Sequence, residues 1–169
     1  MSSNATLEEQ LKEFRNQYYQ ENKKATIFKN SQKFACAAEV TKKFTLNQLL
    51  EKSIYMNENK IIVNYPLIKT FINPSIYSNI LQHFEKLTTQ ILIKNDIFDI
   101  HLDMNTFTMT AAHRYTLLIQ EFCSKFLTEK YDEKIQSIYL YNPPAIISVL
   151  RSMFSPFISA NIRSKIIEC

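Results

Sequence analysis

The 169-residue chain contains no glycine, and this absence restricts both its turns and its chemistry. Glycine adopts positive φ without steric cost and lets backbone N–H groups approach a ligand closely. Phosphate-binding loops, dinucleotide-binding fingerprints and the nucleophile elbows of hydrolases all depend on glycine. The sequence therefore excludes enzymes that are built around such loops.

Without glycine, turn positions with left-handed backbone geometry should be occupied by asparagine, which tolerates that geometry best among the remaining residues. Several asparagines lie in predicted turns or directly after predicted helices and strands. We therefore expect positive φ at Asn57, Asn59, Asn95 and Asn105.

Apolar side chains are abundant enough for a packed core, since 46% of the residues are hydrophobic. The net charge of +4 weakly favours anionic partners such as membrane surfaces. The three cysteines lack Cys-x-x-Cys or Cys/His spacing, which is typical of reduced thiols. Since no apolar leader and no run of 18 apolar residues occurs, we expect a soluble cytoplasmic protein that contacts membranes peripherally.

Residues 1–55 predict an N-terminal helical segment. Apolar residues at three- and four-residue spacing from Leu7 to Tyr18 indicate an amphipathic helix. After a Lys- and Asn-rich loop, residues 34–44 are compatible with a short second helix. Thr45 and Gln48 fit a capping box in front of a third helix, which we expect to continue to residue 56.

Residues 56–169 alternate between strand and helix patterns. Short β-branched or alternating runs predict strands at 60–65, 97–104, 136–142 and 165–169. Helical periodicity predicts helices at 73–93, 109–129 and 144–154, with turns at 155–163. This order requires crossover connections and hence a small, mostly parallel α/β sheet. Because strand 97–104 is polar on one side, we expect the helices mainly on the other face.

The segment from His101 to Ile167 carries an ordered series of motifs. They are a strand ending in Asp103, a long helix, a Tyr-Asp-Glu turn at 131–133, an Asn-Pro-Pro corner at 142–144, a Ser-Pro-Phe turn at 155–157 and Ser-Lys-Ile at 164–166. In this order they resemble the CRAL-TRIO domain, the lipid-binding fold of phosphatidylinositol- and tocopherol-transfer proteins. The resemblance implies a CRAL-TRIO-like domain over residues 56–169 that binds a lipid or an anionic membrane, without catalysis and without a cofactor.

In that family a helix beyond the last strand gates the lipid pocket. The sequence ends at Cys169, and we therefore expect a divergent domain without that gate. The same fold then offers an alternative function, in which the uncovered sheet face docks a protein partner or a second copy of the chain.

Five side chains are candidates for ligand contacts. His101 and Asp103 lie on the polar face of one predicted strand, and Tyr139 and Tyr141 share one face of the next. Arg114 is a candidate for a phosphate head group, because guanidinium pairs bidentately with phosphate. Arg151 and Arg163 carry the same group, and the ammonium of Lys165 is a further cation that could contact a phosphate head group.

Two further functions receive less support from the residues. Asp99, His101 and Asp103 recur about 7 Å apart along one strand face, a spacing that suits a metal or acid–base pair. Because they lie in one line and supply no converging ligand direction, we expect a polar face and no metal site. The Lys-rich stretch 23–43 carries no nucleic-acid-binding motif, and we expect no nucleic-acid partner.

Overall fold

The computed structural model describes residues 5–169, which begin with three helices. These are α1 (Leu7–Glu21), α2 (Lys29–Lys43) and α3 (Leu46–Ser53). Helix α1 begins with a capping box, in which the Thr6 hydroxyl accepts from the Glu9 amide and the Glu9 carboxylate accepts from the Thr6 amide. The predicted first helix is therefore confirmed, and α2 begins five residues earlier than expected.

Five strands form one sheet in the order β1-β2-β3-β4-β5. Their bounds are β1 (Ile54–Asn57), β2 (Lys60–Asn64), β3 (Phe98–Asp103), β4 (Ile135–Tyr141) and β5 (Ile166–Glu168). The β1–β2 pair is an antiparallel hairpin, and the other three pairs are parallel. The predicted mostly parallel α/β sheet is confirmed.

Six helices connect the parallel strands. Helices α4 (Tyr65–Ile68) and α5 (Tyr77–Lys94) lie between β2 and β3, α6 (Met109–Arg114) and α7 (Thr116–Phe126) between β3 and β4, and α8 (Ile147–Phe154) and α9 (Ala160–Ser164) between β4 and β5. Among the helices of residues 5–169, none combines the length and the apolar character that a bilayer-spanning segment requires.

The helices cover mainly one face of the sheet. Right-handed crossovers that all step in the same direction place their helices on a single face. Ile61, Ile100 and Ile138 form a row in register on that face, and all three are buried. Within the described residues, no side chain of the opposite face is buried. We call this opposite surface the open sheet face.

The main core lies between the sheet and the helices. Four phenylalanines are almost completely buried there: Phe71, Phe84, Phe98 and Phe126. Leu11, Val40 and Leu49 from the three N-terminal helices belong to the same cluster of buried residues. The division into residues 1–55 and 56–169 stays a prediction, and residues 1–4 lie outside the described part of the chain.

Three local predictions are wrong. Thr45 precedes α3, but its side chain makes no capping hydrogen bond. Helix α3 ends at Ser53 because Ile54–Asn57 pair with β2 as strand β1, so that long-range pairing overrides the local helical pattern. Residues 155–163, predicted as turns, contain a 3₁₀ turn and most of α9.

The predicted helix 109–129 is divided at Tyr115 into α6 and α7. Thr116 is the first residue of α7, and its hydroxyl donates to the Ala112 carbonyl oxygen. Such back-bonding from Thr to the preceding turn commonly bends a helix.

The predicted positions of positive φ are also wrong. Positive φ occurs at Phe28, Glu58, Thr106 and Asn142, and at none of the four asparagines that the sequence favours. The position within each turn decides the backbone geometry, even where it costs about 1–2 kcal/mol for a residue with a Cβ atom. Asn95, for example, ends α5 in an extended conformation and donates its side-chain amide to the Ile91 carbonyl.

Candidate functional site

An apolar cavity of about 280 Å³ lies between the sheet and the covering helices. Its floor is formed by side chains of β3 and β4 that pair in register, Ile100 with Ile138 and Leu102 with Leu140. The walls come mainly from α5, α7 and α8, with Ile80, Phe84, Leu118, Ile119, Phe122, Ile147, Leu150 and Phe154. Hydrocarbon therefore surrounds nearly the whole cavity.

Local sequence patterns direct these side chains to the cavity. Period-two alternation along β3 turns Ile100 and Leu102 toward the helices, whereas Asp99 and His101 point to the open sheet face. On α7, Leu118, Ile119, Phe122 and Cys123 recur at the spacing that brings helical residues to one face.

The cavity contains polar atoms that remain uncharged at neutral pH. Burial raises the pKa of the Cys123 thiol to about 12, so this thiol stays protonated. Burial also raises the pKa of the Tyr65 phenol far above its ordinary value. Neither group introduces a charge into the cavity.

Arg151 lines the cavity and joins α8 to β5. Within residues 5–169 it is the single charged residue that lines the cavity. Its Nη2 donates to the Ile166 carbonyl oxygen at 3.1 Å, and its Nη1 lies 3.1 Å from Glu168 Oε1. The side chain is 42% exposed, so its aliphatic part contacts the cavity while the guanidinium reaches solvent.

Three of the five predicted ligand residues form an aromatic stack on the open sheet face. The His101 ring stacks on Tyr139, with ring centres 4.6 Å apart, and lies 5.7 Å from the Tyr141 ring. A hydrogen bond of 2.8 Å joins His101 Nδ1 to the Tyr141 hydroxyl. We call these three residues the His–Tyr stack.

The other two predicted residues lie outside the stack. Asp103 faces Tyr141 in register, and its carboxylate accepts from the Asn105 amide and from Asn142 Nδ2. It therefore holds the corner that follows β4. Arg114 belongs to α6, where its Nε donates to Asn30 Oδ1 at 2.8 Å. The five predicted residues do not form one site.

The polar side of β3 contains two buried atoms without a hydrogen-bond partner in the structure, Asp99 Oδ1 and His101 Nε2. Burial lowers the pKa of His101, which favours the neutral imidazole. Among residues 5–169, no three His, Cys, Asp or Glu side chains converge as metal ligands.

Sequence reasoning missed the apolar cavity because it concentrated on polar side chains. The apolar residues that alternate with the polar ones along β3 and β4 did indicate the cavity floor. These residues, Ile100, Leu102, Ile138 and Leu140, all face the helices. Periodicity shows that such residues are buried on one face. It does not show whether helices fill the space opposite them or leave it open.

Comparisons with known proteins agree with this architecture. The sequence profile of the CRAL/TRIO domain matches residues 84–169, half of the chain. The crystal structure of Sfh5 superposes with a TM-score of 0.56 at 13% sequence identity, covering 95% of this chain and 63% of that chain. The curated proteins contain no significant match. At this identity the superposition shows a shared fold, and the profile match shows that the chain belongs to the CRAL/TRIO domain family.

Proposed function

We propose that this chain is a non-enzymatic lipid-binding module that takes an apolar ligand into the cavity between its sheet and its helices. The observation that carries the proposal is the cavity itself, with its hydrocarbon floor and walls. Largely apolar, preformed cavities with one or a few polar groups are typical ligand sites. Membership of the CRAL/TRIO domain family supports lipid as the general class of ligand.

The size of the cavity favours a single hydrocarbon chain or a compact ring system. Its volume of about 280 Å³ is nearly twice the ~150 Å³ of an engineered apolar cavity that holds benzene. Burial of such a ligand is favourable by about 25 cal/mol for each Å² of apolar surface removed from water. The polar end of the ligand would then lie beside Arg151, the partly exposed charged residue of the cavity lining.

Ligand uptake is the direct test. Native mass spectrometry of gently purified protein, followed by lipid extraction, should reveal a bound lipid, or uptake of a fluorescent fatty acid should occur at a 1:1 ratio. Ile119→Trp adds an indole that fills the cavity, and we expect it to reduce uptake at least tenfold. Leu117→Trp is the matched control, because Leu117 lies on the same helix but is exposed and outside the cavity.

Two results would contradict lipid binding in the cavity. One is a protein that is free of lipid as purified and takes up none from vesicles. The other is equal uptake by the Ile119→Trp and Leu117→Trp variants. For the cellular setting we propose a cytoplasmic protein that contacts anionic membranes peripherally, and flotation with phosphatidylserine vesicles tests that contact.

Docking of a protein on the open sheet face is a second candidate function. The observation that favours it is a row of five apolar or aromatic residues that are paired in register across all five strands: Tyr55, Ile62, His101, Tyr139 and Ile167. Tyr55 and Ile167 at the two ends are 43% and 41% exposed. Tyr is a residue that contributes strongly to protein interfaces.

A charge in the middle of this row tests the second candidate. Light scattering and native mass spectrometry would report a homodimer or a stable complex of the wild-type protein. Tyr139→Glu should dissociate it, whereas Gln90→Glu on the exposed surface of α5 should not. A wild-type protein that stays monomeric and without a partner, or assembly that is unchanged in Tyr139→Glu, would rule out this role of the face.

A further inference from the structure

The apolar cavity crosses the sheet from β2 to β5. Val63 of β2, Ile100 of β3, Leu140 of β4 and Ile166 of β5 all line it. Since neighbouring strands lie about 4.8 Å apart, the three strand spacings from β2 to β5 amount to about 14 Å. The cavity is therefore long enough for an alkyl chain that lies across the strands.

The β2 side of the cavity is aromatic and uncharged. Tyr65 follows β2, and its ring packs edge to face against Phe107 with ring centres 4.8 Å apart. Both residues line the cavity. Within residues 5–169 the single charged residue of the lining, Arg151, contacts β5 through Ile166 and Glu168. A ligand in this cavity therefore meets a charged protein group at the β5 end alone.

Helix α8 brings the Arg151 side chain against the cavity. Ile147 lies four residues before it and Phe154 three residues after it, and residues at these spacings share one face of a helix. All three residues line the cavity. Because the Arg151 side chain is 42% exposed, its guanidinium lies at the boundary between the hydrocarbon lining and solvent.

The guanidinium of Arg151 has unused donors. A guanidinium carries five N–H groups. Nη2 donates to the Ile166 carbonyl oxygen at 3.1 Å, and Nη1 lies 3.1 Å from one carboxylate oxygen of Glu168. Among residues 5–169, the structure gives Nε no hydrogen-bond partner. A second carboxylate can therefore place both of its oxygens on this guanidinium, in the bidentate arrangement that arginine favours.

The two contacts of Arg151 differ in how easily a ligand replaces them. The Ile166 carbonyl belongs to the backbone of β5, an edge strand of the sheet, and it fixes one side of the guanidinium. Glu168 is a 38% exposed side chain at the end of β5, outside the cavity lining. Because exposed ion pairs contribute little to folding, a ligand carboxylate can replace Glu168 while Ile166 still holds the guanidinium.

We infer that the ligand of the apolar cavity is a single-chain lipid with a carboxylate head, such as a fatty acid, and that its carboxylate pairs with Arg151 in place of Glu168. The inference rests on the proposed function, because the alkyl chain occupies the same cavity. The Arg151–Glu168 pair itself shows that a carboxylate fits this guanidinium.

The charge and the volume of the site favour this class of lipid over others. One cation balances a monoanion, whereas a phosphate monoester carries a charge of about −1.5 to −2 at neutral pH. An alcohol head forms only neutral-acceptor bonds, which are weaker than charge-assisted ones. The volume of about 280 Å³ lies at the lower limit, about 300 Å³, of pockets for drug-sized ligands. A phospholipid with two acyl chains is larger than such ligands.

Equilibrium binding of radiolabelled oleate and oleyl alcohol to the full chain at pH 8 tests the inference. We expect oleate to bind at least tenfold more tightly than the alcohol, and lysophosphatidate to bind more weakly than oleate. Arg151→Met keeps an unbranched side chain in the lining and removes the guanidinium. It should weaken oleate binding at least tenfold and oleyl alcohol binding less than twofold. Retained binding of the alcohol shows that the variant keeps its fold and its cavity.

Arg163→Met is the matched control. Arg163 is an exposed residue of α9 that does not line the cavity. Its replacement removes the same charge from a neighbouring helix, and it should change both affinities less than twofold. An equal loss of oleate binding in Arg163→Met and Arg151→Met would mean that net charge, and not contact with Arg151, governs the preference.

Carbon-13 NMR of oleate labelled at its carboxyl carbon provides a second readout. An ion pair with a guanidinium favours the ionised carboxylate. Bound oleate should therefore titrate at a lower pH in the wild type than in Arg151→Met. A carboxylate that lies in solvent would titrate at the same pH in both proteins, and that result would overturn the inference.

The binding results separate this inference from the proposed function. If oleate and oleyl alcohol bind equally, or if Arg151→Met weakens both equally, the cavity takes a lipid but the carboxylate pairing is wrong. Tighter binding of lysophosphatidate than of oleate would assign a phosphate head to the ligand and would also contradict the inference. If none of the three ligands binds, lipid binding in the cavity fails together with it.

Discussion

Arg151 Nη1 and Glu168 Oε1 lie 3.1 Å apart and join α8 to the last strand beside the apolar cavity, which Arg151 lines. Both side chains are about 40% exposed, since their exposed fractions are 42% and 38%. Exposed ion pairs contribute about 0–1 kcal/mol to folding. The pair is therefore easily exchanged, and Glu168 occupies a position that an acidic lipid head could take.

Removal of the Glu168 charge should change ligand preference more than stability. In Glu168→Gln the guanidinium of Arg151 loses its ion-pair partner and can pair with the carboxylate of the ligand instead. We therefore expect oleate to bind about three- to tenfold more tightly. Oleyl alcohol has the same chain without the charge, and its affinity should not change. Displacement of a fluorescent fatty acid measures both affinities, and an equal change for the two ligands would show that Arg151 does not contact the ligand head.

The partly buried ring of His101 should make stability depend on pH. Because burial lowers the pKa of His101 below its ordinary value of 6.5, the folded protein binds fewer protons than the unfolded chain in this range. The contribution of neutral His101 to the free energy of unfolding is therefore complete above pH 6.5. It declines as the pH falls through 6.5 toward the lower pKa of the folded state. Urea unfolding between pH 8 and pH 5 measures this decline.

His101→Phe keeps a ring against Tyr139 and removes the titrating group. We expect the free energy of unfolding of this variant to fall less between pH 7 and pH 5 than that of the wild type. The matched substitution His113→Phe changes an exposed histidine and should leave the pH profile unaltered. Identical profiles for His101→Phe and the wild type would show that His101 is not responsible.

The three cysteines should differ strongly in reactivity. Burial raises the pKa of Cys36 and raises that of Cys123 to about 12, and the thiolate is the reactive form. Cys169 is exposed. A disulfide reagent at pH 8 should therefore modify one thiol quickly in the native protein and three in denaturant, and Cys169→Ser should remove the fast reaction. Fast modification of two or three native thiols would contradict the packing around α2 and α7.

A glycine in the β1–β2 hairpin should stabilise the protein at one turn position and not at the next. Glu58 has a φ of 56°, a geometry that costs a residue with a Cβ atom about 1–2 kcal/mol. Glu58→Gly should raise the free energy of unfolding by up to about 1 kcal/mol, since part of the gain is offset by the greater chain entropy of glycine. Asn59 lacks positive φ, and Asn59→Gly should be neutral or destabilising. Equal effects in urea unfolding would contradict the turn geometry.

Predictability from sequence differs between the fold and the candidate sites. Strands β2, β3, β4 and β5 and helix α5 follow from periodicity and Asn-Pro signals, because each pattern is complete within a short stretch of chain. Strand β1 does not follow, because Ile54–Asn57 extend a helical pattern and become a strand through pairing with β2. The His–Tyr stack could have been predicted, since alternation along β3 and β4 assigns its three residues to the same face of the sheet.

The alternating order of strand and helix patterns, the absence of glycine-dependent chemistry and the motif series from His101 to Ile167 are properties of the sequence alone. The order of patterns predicted a mostly parallel sheet, because hydrophobic periodicity and crossover rules act locally along the chain. The motif series carried the resemblance to the CRAL-TRIO domain. The tertiary structure alone decided that an open volume remains above Ile100 and Ile138 and that the rings of His101, Tyr139 and Tyr141 stack on the open sheet face. Cavities and ring stacks depend on the distances between segments that are remote in sequence, and packing determines those distances.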